Sequence, residues 1–392
     1  MSKRPAHIMI LTGEPSGDFH AAPLIRSLKK MVPKIRISGI GGPAMAELGA
    51  DIFFPIERLS AMGLIQVVRQ LSTIKLAFQT VKHRLKTDLP DVVILIDYPG
   101  FNLRVAKYIK EKYEIPVCYY IAPKVWAWNS ARLNKIKAFT DHVALILPFE
   151  QSIYKKWNIA ATYVGNPLVD EYPHPLPPST GSCATQKTVI GLLPGSRLSE
   201  IQNLLPVMLD SAGKIAHRIP GARFVISSGT VLHEKRIRQI IEAHPCRDLC
   251  RVVPGRPCSV FEQSHMLIAA SGTVTLEAAL CCLPTIIIYK MSPLAYGLAK
   301  LLVKIKYAGL ANLIVGREVM PERLQSRANP EDISATAFSM ISELDVHRKN
   351  LLEVRKRLGT SGAPERTAKI ILNFVKNRRS VNTCLTNPDK TD

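Results

Sequence analysis

The residues best suited to chemistry lie in short turns that follow apolar segments. Residues 267–280, LIAASGTVTLEAAL, read as a buried strand, a Ser271-Gly272-Thr273 turn and a helix whose one acid is Glu277. A strand that enters a helix through small residues leaves backbone N–H groups unpaired, and the positive end of the helix dipole faces the same space. The pattern predicts a phosphate-binding turn. Glu277 follows Thr273 by four residues, so its carboxylate would lie on the same helix face, where it could bind a ribose.

Asp97 is the candidate for acid–base chemistry. It follows the strongly apolar residues 91–96, DVVILI, and precedes Tyr98-Pro99-Gly100. Ligands of open α/β sheets bind beyond the carboxyl ends of the strands, so Asp97 is predicted to be a general base. An aspartate that caps the next helix is, on position alone, a somewhat more common explanation, and that alternative stays open.

Two further turns follow predicted strands. Residues 13–18, GEPSGD, follow residues 7–12 but do not match GxGxxG, so a tight connection explains them equally well. Arg197 ends the sequence LLPGSR, where a guanidinium could bind a diphosphate through two parallel hydrogen bonds. The chain has no Walker lysine motif and no Asp-x-Asp pair. Helix N-termini and arginines would then stabilise the leaving group, which favours metal-free glycosyl transfer over phosphoryl transfer; neither a metal nor a cofactor is predicted.

Two series of strands alternating with helices must position these turns. Their separation by a proline-rich stretch at residues 164–188 predicts an α/β protein with two doubly wound domains and a cleft between them. The predicted divisions are an N-terminal domain 1–170, a linker 171–187, a C-terminal domain 188–345, C-terminal helices 346–376 and a disordered tail 377–392.

Composition narrows the class of partner. The 392 residues are 47% hydrophobic, 6% aromatic and 21% charged, which is typical of an ordinary α/β protein. A net charge of +21 favours anionic partners: nucleic acid, anionic lipid or phosphorylated substrates. Eight cysteines without CxxC spacing indicate a reducing, cytoplasmic compartment. No export or membrane-spanning signal is predicted, because Glu277 and Pro284 interrupt the longest apolar run.

Two segments suggest contact with a membrane surface. Residues 59–87 contain no acid and combine basic side chains with more apolar groups than one core-facing stripe needs. Such a segment could rest on an anionic bilayer, although a core helix with solvated lysines explains it equally well. The stretch between Glu277 and Glu318 is also free of acids and basic. Together the two segments favour a membrane surface over nucleic acid, whose grooves rarely require so much aliphatic bulk.

Seven motifs in order resemble the lipid-A-disaccharide synthase family. They are GEPSGD (13–18), LIDYPGFN (95–102), APKVWAWNSAR (122–132), LPFE (147–150), LLPGSR (192–197), ASGTVTLEAAL (270–280) and LANLIVGRE (310–318). The resemblance implies a GT-B fold, an α/β fold of two Rossmann-like domains that face a central cleft. It also implies an inverting transfer from UDP-2,3-diacylglucosamine to 2,3-diacylglucosamine 1-phosphate that releases UDP and makes a β-1,6-linked lipid A disaccharide 1-phosphate.

The resemblance assigns roles to individual residues. Asp97 would be the catalytic acidic residue and the base that acts on the acceptor 6-hydroxyl group. The UDP-sugar site would include Gly195, Ser196, Arg197, Ser271, Gly272, Thr273, Glu277 and Asn312. Glu14, Ser16 and Gly17 would border the cleft from the acceptor side. A membrane-docking surface would include Met62, Leu64, Ile65, Val67, Val68 and Leu71, which places the enzyme on the cytoplasmic face of the inner membrane. The family also suggests a homodimer with exchanged C-terminal helices.

The sequence departs from the family pattern at three positions. Pro15, Lys124 and Ala311 stand where the family usually has Ala, Ser and Pro, and these changes concern acceptor fit more than the reaction. Rival hypotheses are another UDP-GlcNAc-using GT-B enzyme, such as a peptidoglycan transferase or a 2-epimerase, and a non-catalytic basic protein that binds lipid or nucleic acid.

Overall fold

The computed structural model describes residues 4–59, 67–125, 131–177, 188–291, 296–297 and 306–385, without the side chains of 67–70 and 381–385. The chain forms two compact units. The first unit contains the residues up to Pro167 together with those from Thr360 onward, and the second unit is Leu168–Gly359. Each unit has its own sheet and hydrophobic core. Among the residues that the structure describes, no helix is long and apolar enough to cross a membrane.

A parallel sheet of seven described strands organises the first unit. The strands are β1 (His7–Leu11), β2 (Arg36–Gly41), β3 (Asp51–Pro55), β4 (Val92–Ile96), β5 (Val117–Tyr120), β6 (His142–Leu145) and β7 (Ala161–Tyr163). Their order is β3-β2-β1-β4-β5-β6-β7, and each neighbouring pair is parallel. The order changes direction between β1 and β4, so the topological switch point lies at the carboxyl ends of these two strands.

Helices cover both faces of the first sheet. They are α1 (Pro15–Met31), α2 (Pro43–Ala46), α3 (Val67–Thr87), α4 (Pro99–Lys112), α5 (Ala131–Phe139) and α6 (Glu150–Lys156). Ile8 and Ile10 of β1 pack into the cluster that contains α1, whereas Met9 and Leu11 pack into the cluster that contains α3 and α4. A strand buried on both faces reads as an unbroken apolar run, which is why β1 and β4 were recognisable in the sequence.

The second unit repeats this arrangement. Its strands are β8 (Val189–Leu193), β9 (Arg223–Ser228), β10 (Cys250–Pro254), β11 (Met266–Ala270), β12 (Thr285–Tyr289) and β13 (Glu322–Leu324). Its helices are α7 (Pro167–Glu171), which begins at the boundary, α8 (Leu198–Arg218), α9 (Val231–Glu242), α10 (Cys258–Phe261), α11 (Thr273–Leu280), α12 (Leu310–Val315), α13 (Pro330–Ser342) and α14 (Leu344–Leu358). The parallel order β10-β9-β8-β11-β12-β13 puts the switch point between β8 and β11.

The last described helix, α15 (Ala363–Leu385), returns to the first unit and packs on α1. The predicted disordered tail from residue 377 is therefore wrong for residues 377–385. Arg378 donates to the Pro90 carbonyl, and the Arg379 guanidinium lies 2.8 Å from the Asp91 carboxylate, whose side chain is 1% exposed. Polar composition suggested a solvated tail, but long basic side chains here reach buried acceptors. Residues 386–392 lie outside the described ranges.

Candidate functional site

Asp97 and Tyr98 form a strained turn at the switch point of the first sheet. Both residues have φ of +46°, in the left-handed region that non-glycine residues rarely occupy. The Asp97 carbonyl accepts hydrogen bonds from the Asn102 amide at 2.7 Å and from the Tyr119 hydroxyl at 2.6 Å. Asn102 is fully buried and also donates to the carbonyl of Leu11 at the end of β1. Strain that surrounding contacts hold in place is typical of functional sites.

The electrostatic surroundings of Asp97 suit a proton acceptor. Burial raises the pKa of its carboxyl group, while the Tyr98 N–H and the Lys124 ammonium group act in the opposite direction; the net pKa is raised. Desolvation lowers the pKa of Lys124, the carboxylates of Asp97 and Glu150 raise it, and the net pKa is lowered. Glu150 is 2% exposed and accepts the Leu147 N–H at 3.1 Å. The turns after β4, β5 and β6 thus place the carboxylate of Asp97, the ammonium group of Lys124 and the carboxylate of Glu150 along one edge of the sheet.

The Gly13–Asp18 turn packs directly against this site. A Cβ atom on Gly13 would lie 2.1 Å from the Tyr98 ring, so only glycine allows the two turns to approach this closely. Glu14 and Ser16 are exposed at the start of α1, and Gly17 is buried beneath them. The first unit therefore brings together the residues predicted for the acceptor side and the predicted base.

Asp18, the last residue of GEPSGD, has a structural role. Its carboxylate accepts the backbone N–H groups of Gly42, Ala44 and Met45 at 2.8, 2.9 and 3.2 Å. These bonds hold Gly42, which follows β2, and the start of α2 against α1.

Arg197 lies at the switch point of the second sheet, at the start of α8. Gly195 precedes it with φ of +115°, and a Cβ there would collide with Glu200. Glu200 accepts the N–H groups of Ser196 and Arg197 at 3.0 and 3.3 Å, and the Arg197 guanidinium donates to it at 3.0 Å. The amide of Ser196 is consequently used inside the turn. The Arg197 side chain remains 58% exposed, so it retains access to a ligand.

The turn after β11 is open to solvent. Gly272 and Thr273 are exposed, and a Cβ on Gly272 would meet no atom among the described residues within 4 Å. Within this first turn the Thr275 N–H donates to the Gly272 carbonyl at 3.2 Å, whereas the N–H groups of Thr273 and Val274 precede any intrahelical acceptor. The Ser271 hydroxyl donates to the Ala308 carbonyl at 3.3 Å and links the turn to the segment that precedes α12.

Glu277 already has a hydrogen-bond donor. The Tyr172 hydroxyl donates to its Oε2 at 2.9 Å. Burial raises the pKa of Glu277, against the effects of Tyr172 and Arg256, and the net pKa is raised. Arg256 also forms an ion pair with Glu171. The described part of the predicted linker, residues 171–177, belongs to the second unit, to which Glu171 and Tyr172 are anchored. Residues 178–187 lie outside the described ranges.

Asn312 is fully buried, and its amide makes four hydrogen bonds. Its oxygen accepts the N–H groups of Val319 and Met320 at 2.8 and 2.9 Å. Its nitrogen donates to the Met320 carbonyl and to Glu322 Oε1, both at 2.7 Å. Glu322 in turn accepts the backbone N–H groups of residues 308 and 309. An amide has two donors and two acceptor sites, so none of its capacity is left for a ligand here.

The predicted membrane-docking residues lie only partly within the described ranges. Met62, Leu64 and Ile65 lie outside them, and Val67 and Val68 lie on α3 without described side chains. Leu71 is 62% exposed on this helix, and Leu76, which was not among the predicted set, is 52% exposed.

Four acids and one tyrosine near these turns were not predicted as site residues. They are Glu150, Tyr172, Glu200, Glu322 and, as the acceptor of the Glu322 N–H, Glu318. Glu200 had a usable signal, because it stands three residues after Arg197 at a helix start, which is the spacing of a capping box. Tyr172 lies 105 residues from Glu277 in the sequence, and Glu322 lies 10–14 residues from its partners; neither spacing matches a local pattern.

Solved structures with the same fold define the class of protein. A UDP-GlcNAc 2-epimerase from Neisseria meningitidis aligns with a TM-score of 0.59 at 12% identity and covers 95% of this chain and 100% of its own. MurG from Acinetobacter baumannii aligns with a TM-score of 0.58 at 15% identity, with 94% and 100% coverage. The predicted GT-B fold, with two doubly wound domains, is confirmed.

Sequence relatives identify the family within this class. The family model described as lipid-A-disaccharide synthetase matches residues 8–371. A lipid-A-disaccharide synthase from Trichlorobacter lovleyi is 38% identical over 380 residues, covering 95% of this chain and 98% of its own, and one from Coxiella burnetii is 36% identical over 377 residues, with 94% and 98% coverage. The chain belongs to the lipid-A-disaccharide synthase family. It is a glycosyltransferase of lipid A biosynthesis, as the motifs predicted.

Proposed function

We propose that the chain transfers the sugar of UDP-2,3-diacylglucosamine to the 6-hydroxyl group of 2,3-diacylglucosamine 1-phosphate. The products are the β-1,6-linked disaccharide 1-phosphate and UDP. The observation that carries the proposal is the placement of Asp97, a carboxylate of raised pKa held in a left-handed turn at the carboxyl ends of β1 and β4. A base with these properties fits the deprotonation of a sugar hydroxyl, whose own pKa is far higher.

The proposed step transfers one proton and exchanges one bond. The Asp97 carboxylate takes the proton of the acceptor 6-hydroxyl as its oxygen attacks the anomeric carbon of the donor. The attack comes from the face opposite the diphosphate, so the configuration inverts. The bond between the anomeric carbon and the diphosphate oxygen breaks with its electron pair, which leaves with UDP. Lys124 supports the step, because its positive charge favours the ionised form of Asp97. Glu14 and Ser16, exposed beside Tyr98, would border the acceptor.

The second unit would bind the donor. The exposed turn at Ser271–Thr273 and the start of α11 offer backbone N–H groups to the diphosphate, and the Arg197 guanidinium adds a positive charge. Glu277 would share its carboxylate between Tyr172 and the ribose. Asn312 would act by positioning: through Glu322 it holds the segment that carries Ala308, to which Ser271 donates.

The acyl chains of both substrates imply work at a bilayer surface. Leu71 and Leu76 are exposed on α3, next to basic side chains, which supports contact with anionic lipid on the cytoplasmic face of the inner membrane. A homodimer with exchanged C-terminal helices stays part of the proposal, although α15 packs on α1 of its own chain.

An assay of UDP release in detergent micelles tests the reaction. Release from UDP-2,3-diacylglucosamine should require 2,3-diacylglucosamine 1-phosphate, and the product should carry a β linkage. Release from unacylated UDP-GlcNAc, with none from the acylated pair, would contradict the proposal and favour another GT-B activity.

A further inference from the structure

The start of α9 in the second unit exposes two neighbouring aliphatic side chains. Val231 is 85% exposed and Leu232 is 60% exposed, and Val231 has the largest exposed fraction among the large apolar side chains that the structure describes. The helix packs on the second unit through Ile237 and Ile241, which are 0% and 7% exposed. The Val231–Leu232 pair is therefore not part of the core-facing stripe of α9. Burial in the folded chain does not explain two adjacent aliphatic residues at this tip.

The fold places this pair at the same edge of the sheet as the proposed donor turns. α9 follows the carboxyl end of β9, which ends at Ser228, and β9 pairs in parallel with β8. The turn after β8 carries Arg197. Because the strands are parallel, the turns after β8, β9 and β11 all lie at the carboxyl edge of the second sheet. The Thr230 hydroxyl accepts the His233 N–H at 3.2 Å, which defines the start of the helix and the position of the pair.

The surroundings of the pair are positively charged. Lys235, Arg236 and Arg238 follow it within two helical turns, against the single acid Glu234, which pairs with Arg238 at 2.7 Å. An exposed aliphatic tip beside basic side chains matches the chemistry of a bilayer with anionic head groups, where apolar groups enter the acyl boundary and cations contact phosphates.

We propose that Val231 and Leu232 insert into the surface of an anionic phospholipid bilayer and hold the donor-binding edge of the second unit against it. This contact is separate from the one proposed for α3, which belongs to the first unit. The inference rests on the proposed function, since lipid-linked substrates give the second unit a reason to meet the bilayer. A bilayer contact on this edge would shorten the path of an acylated donor from membrane to enzyme.

Vesicle partition of the full-length chain tests the proposal. The double variant Val231→Ser/Leu232→Ser should bind vesicles of phosphatidylcholine with phosphatidylglycerol about tenfold more weakly than the wild type. The matched control is Val346→Ser/Leu352→Ser, which removes two aliphatic side chains that are 54% and 48% exposed. Both residues lie on α14, the helix that follows α13. The control should bind within about twofold of the wild type, and the wild type should bind vesicles of phosphatidylcholine alone more weakly.

Equal binding by both double variants, whether equal to the wild type or equally reduced, would overturn the proposal. Turnover in detergent micelles distinguishes insertion into a bilayer from direct binding of the donor's acyl chains by the Val231–Leu232 pair. Val231→Ser/Leu232→Ser should leave the micellar KM for the acylated donor unchanged. A tenfold rise in that KM would mean that the pair binds the donor's acyl chains, and the bilayer proposal would fail. If the wild type transfers no sugar in micelles, the proposed function fails, while the partition experiment still decides the docking surface.

Discussion

Replacement of Asn312 by alanine distinguishes a ligand contact from a positioning role. The resemblance assigns Asn312 to the UDP-sugar site, yet its amide is 0% exposed and makes four internal hydrogen bonds. A typical internal hydrogen bond contributes about 1 kcal/mol, and a buried group left without a partner costs about 1–3 kcal/mol. Asn312→Ala leaves the buried N–H groups of Val319 and Met320 without their acceptor. We expect the free energy of unfolding of the second unit to fall by about 3–5 kcal/mol.

The matched control is Asn329→Ala in the same unit. Asn329 caps α13 by accepting the Asp332 N–H at 2.8 Å, and loss of such a cap costs about 1 kcal/mol. Urea unfolding monitored by circular dichroism would give both free energies, and calorimetric titration would give the affinity for UDP of the protein that stays folded. Folded Asn312→Ala should still bind UDP, although more weakly than the wild type, because the Ser271 turn loses a support and the nucleotide loses no direct contact.

The opposite pattern would refute this reasoning. If Asn312→Ala loses no more stability than Asn329→Ala but no longer binds UDP, the side chain contacts the nucleotide directly. The amide would then have to exchange its internal partners for the ligand.

Two further predictions concern charge. Lys124→Met removes the ammonium group that lowers the pKa of Asp97, so this pKa should rise and the acid limb of the pH profile of kcat/KM should move to higher pH. Lys124→Arg keeps the positive charge and should return the acid limb to its wild-type position. An unchanged acid limb in Lys124→Met would contradict this role of Lys124. For Asp91, desolvation raises the pKa, but hydrogen bonds from Arg379 and the His7 N–H outweigh it, so the folded pKa is lowered. Its contribution to stability is therefore present above the unfolded pKa near 4 and is lost as the pH falls through the lower folded value. The difference in urea stability between wild type and Asp91→Asn, about 3 kcal/mol at neutral pH, should shrink on acidification; a constant difference would argue against the assignment.

The sequence predicted the sheets better than their anchoring contacts. β1, β4, β8 and β11 are buried on both faces, so each reads as a continuous apolar run followed by a turn of small or polar residues. Local patterns of this kind carry the fold class and the positions of Asp97 and of the Ser271–Thr273 turn.

Contacts between distant segments were not predictable in this way. The bonds of Tyr172 to Glu277 and of Arg379 to Asp91 join residues 105 and 288 positions apart, and no local periodicity reports them. The same limitation produced the two incorrect boundaries, the linker from residue 171 and the tail from residue 377. The satisfied amide of Asn312 was equally hidden, because a motif shows that a residue is present but not which groups it bonds.

The account depends most directly on Asp97 as the base, and Asp97→Asn tests it. Asp51→Asn serves as a control, since the Asp51 side chain is 55% exposed and its one ion pair within the described residues is with Arg84 at the surface. Both proteins would be assayed in micelles for turnover and by calorimetry for UDP affinity. The account predicts that Asp97→Asn lowers kcat by about two to four orders of magnitude while UDP affinity and stability stay near those of Asp51→Asn. Turnover of Asp97→Asn within a few-fold of the control would contradict it and assign the proton transfer to another group.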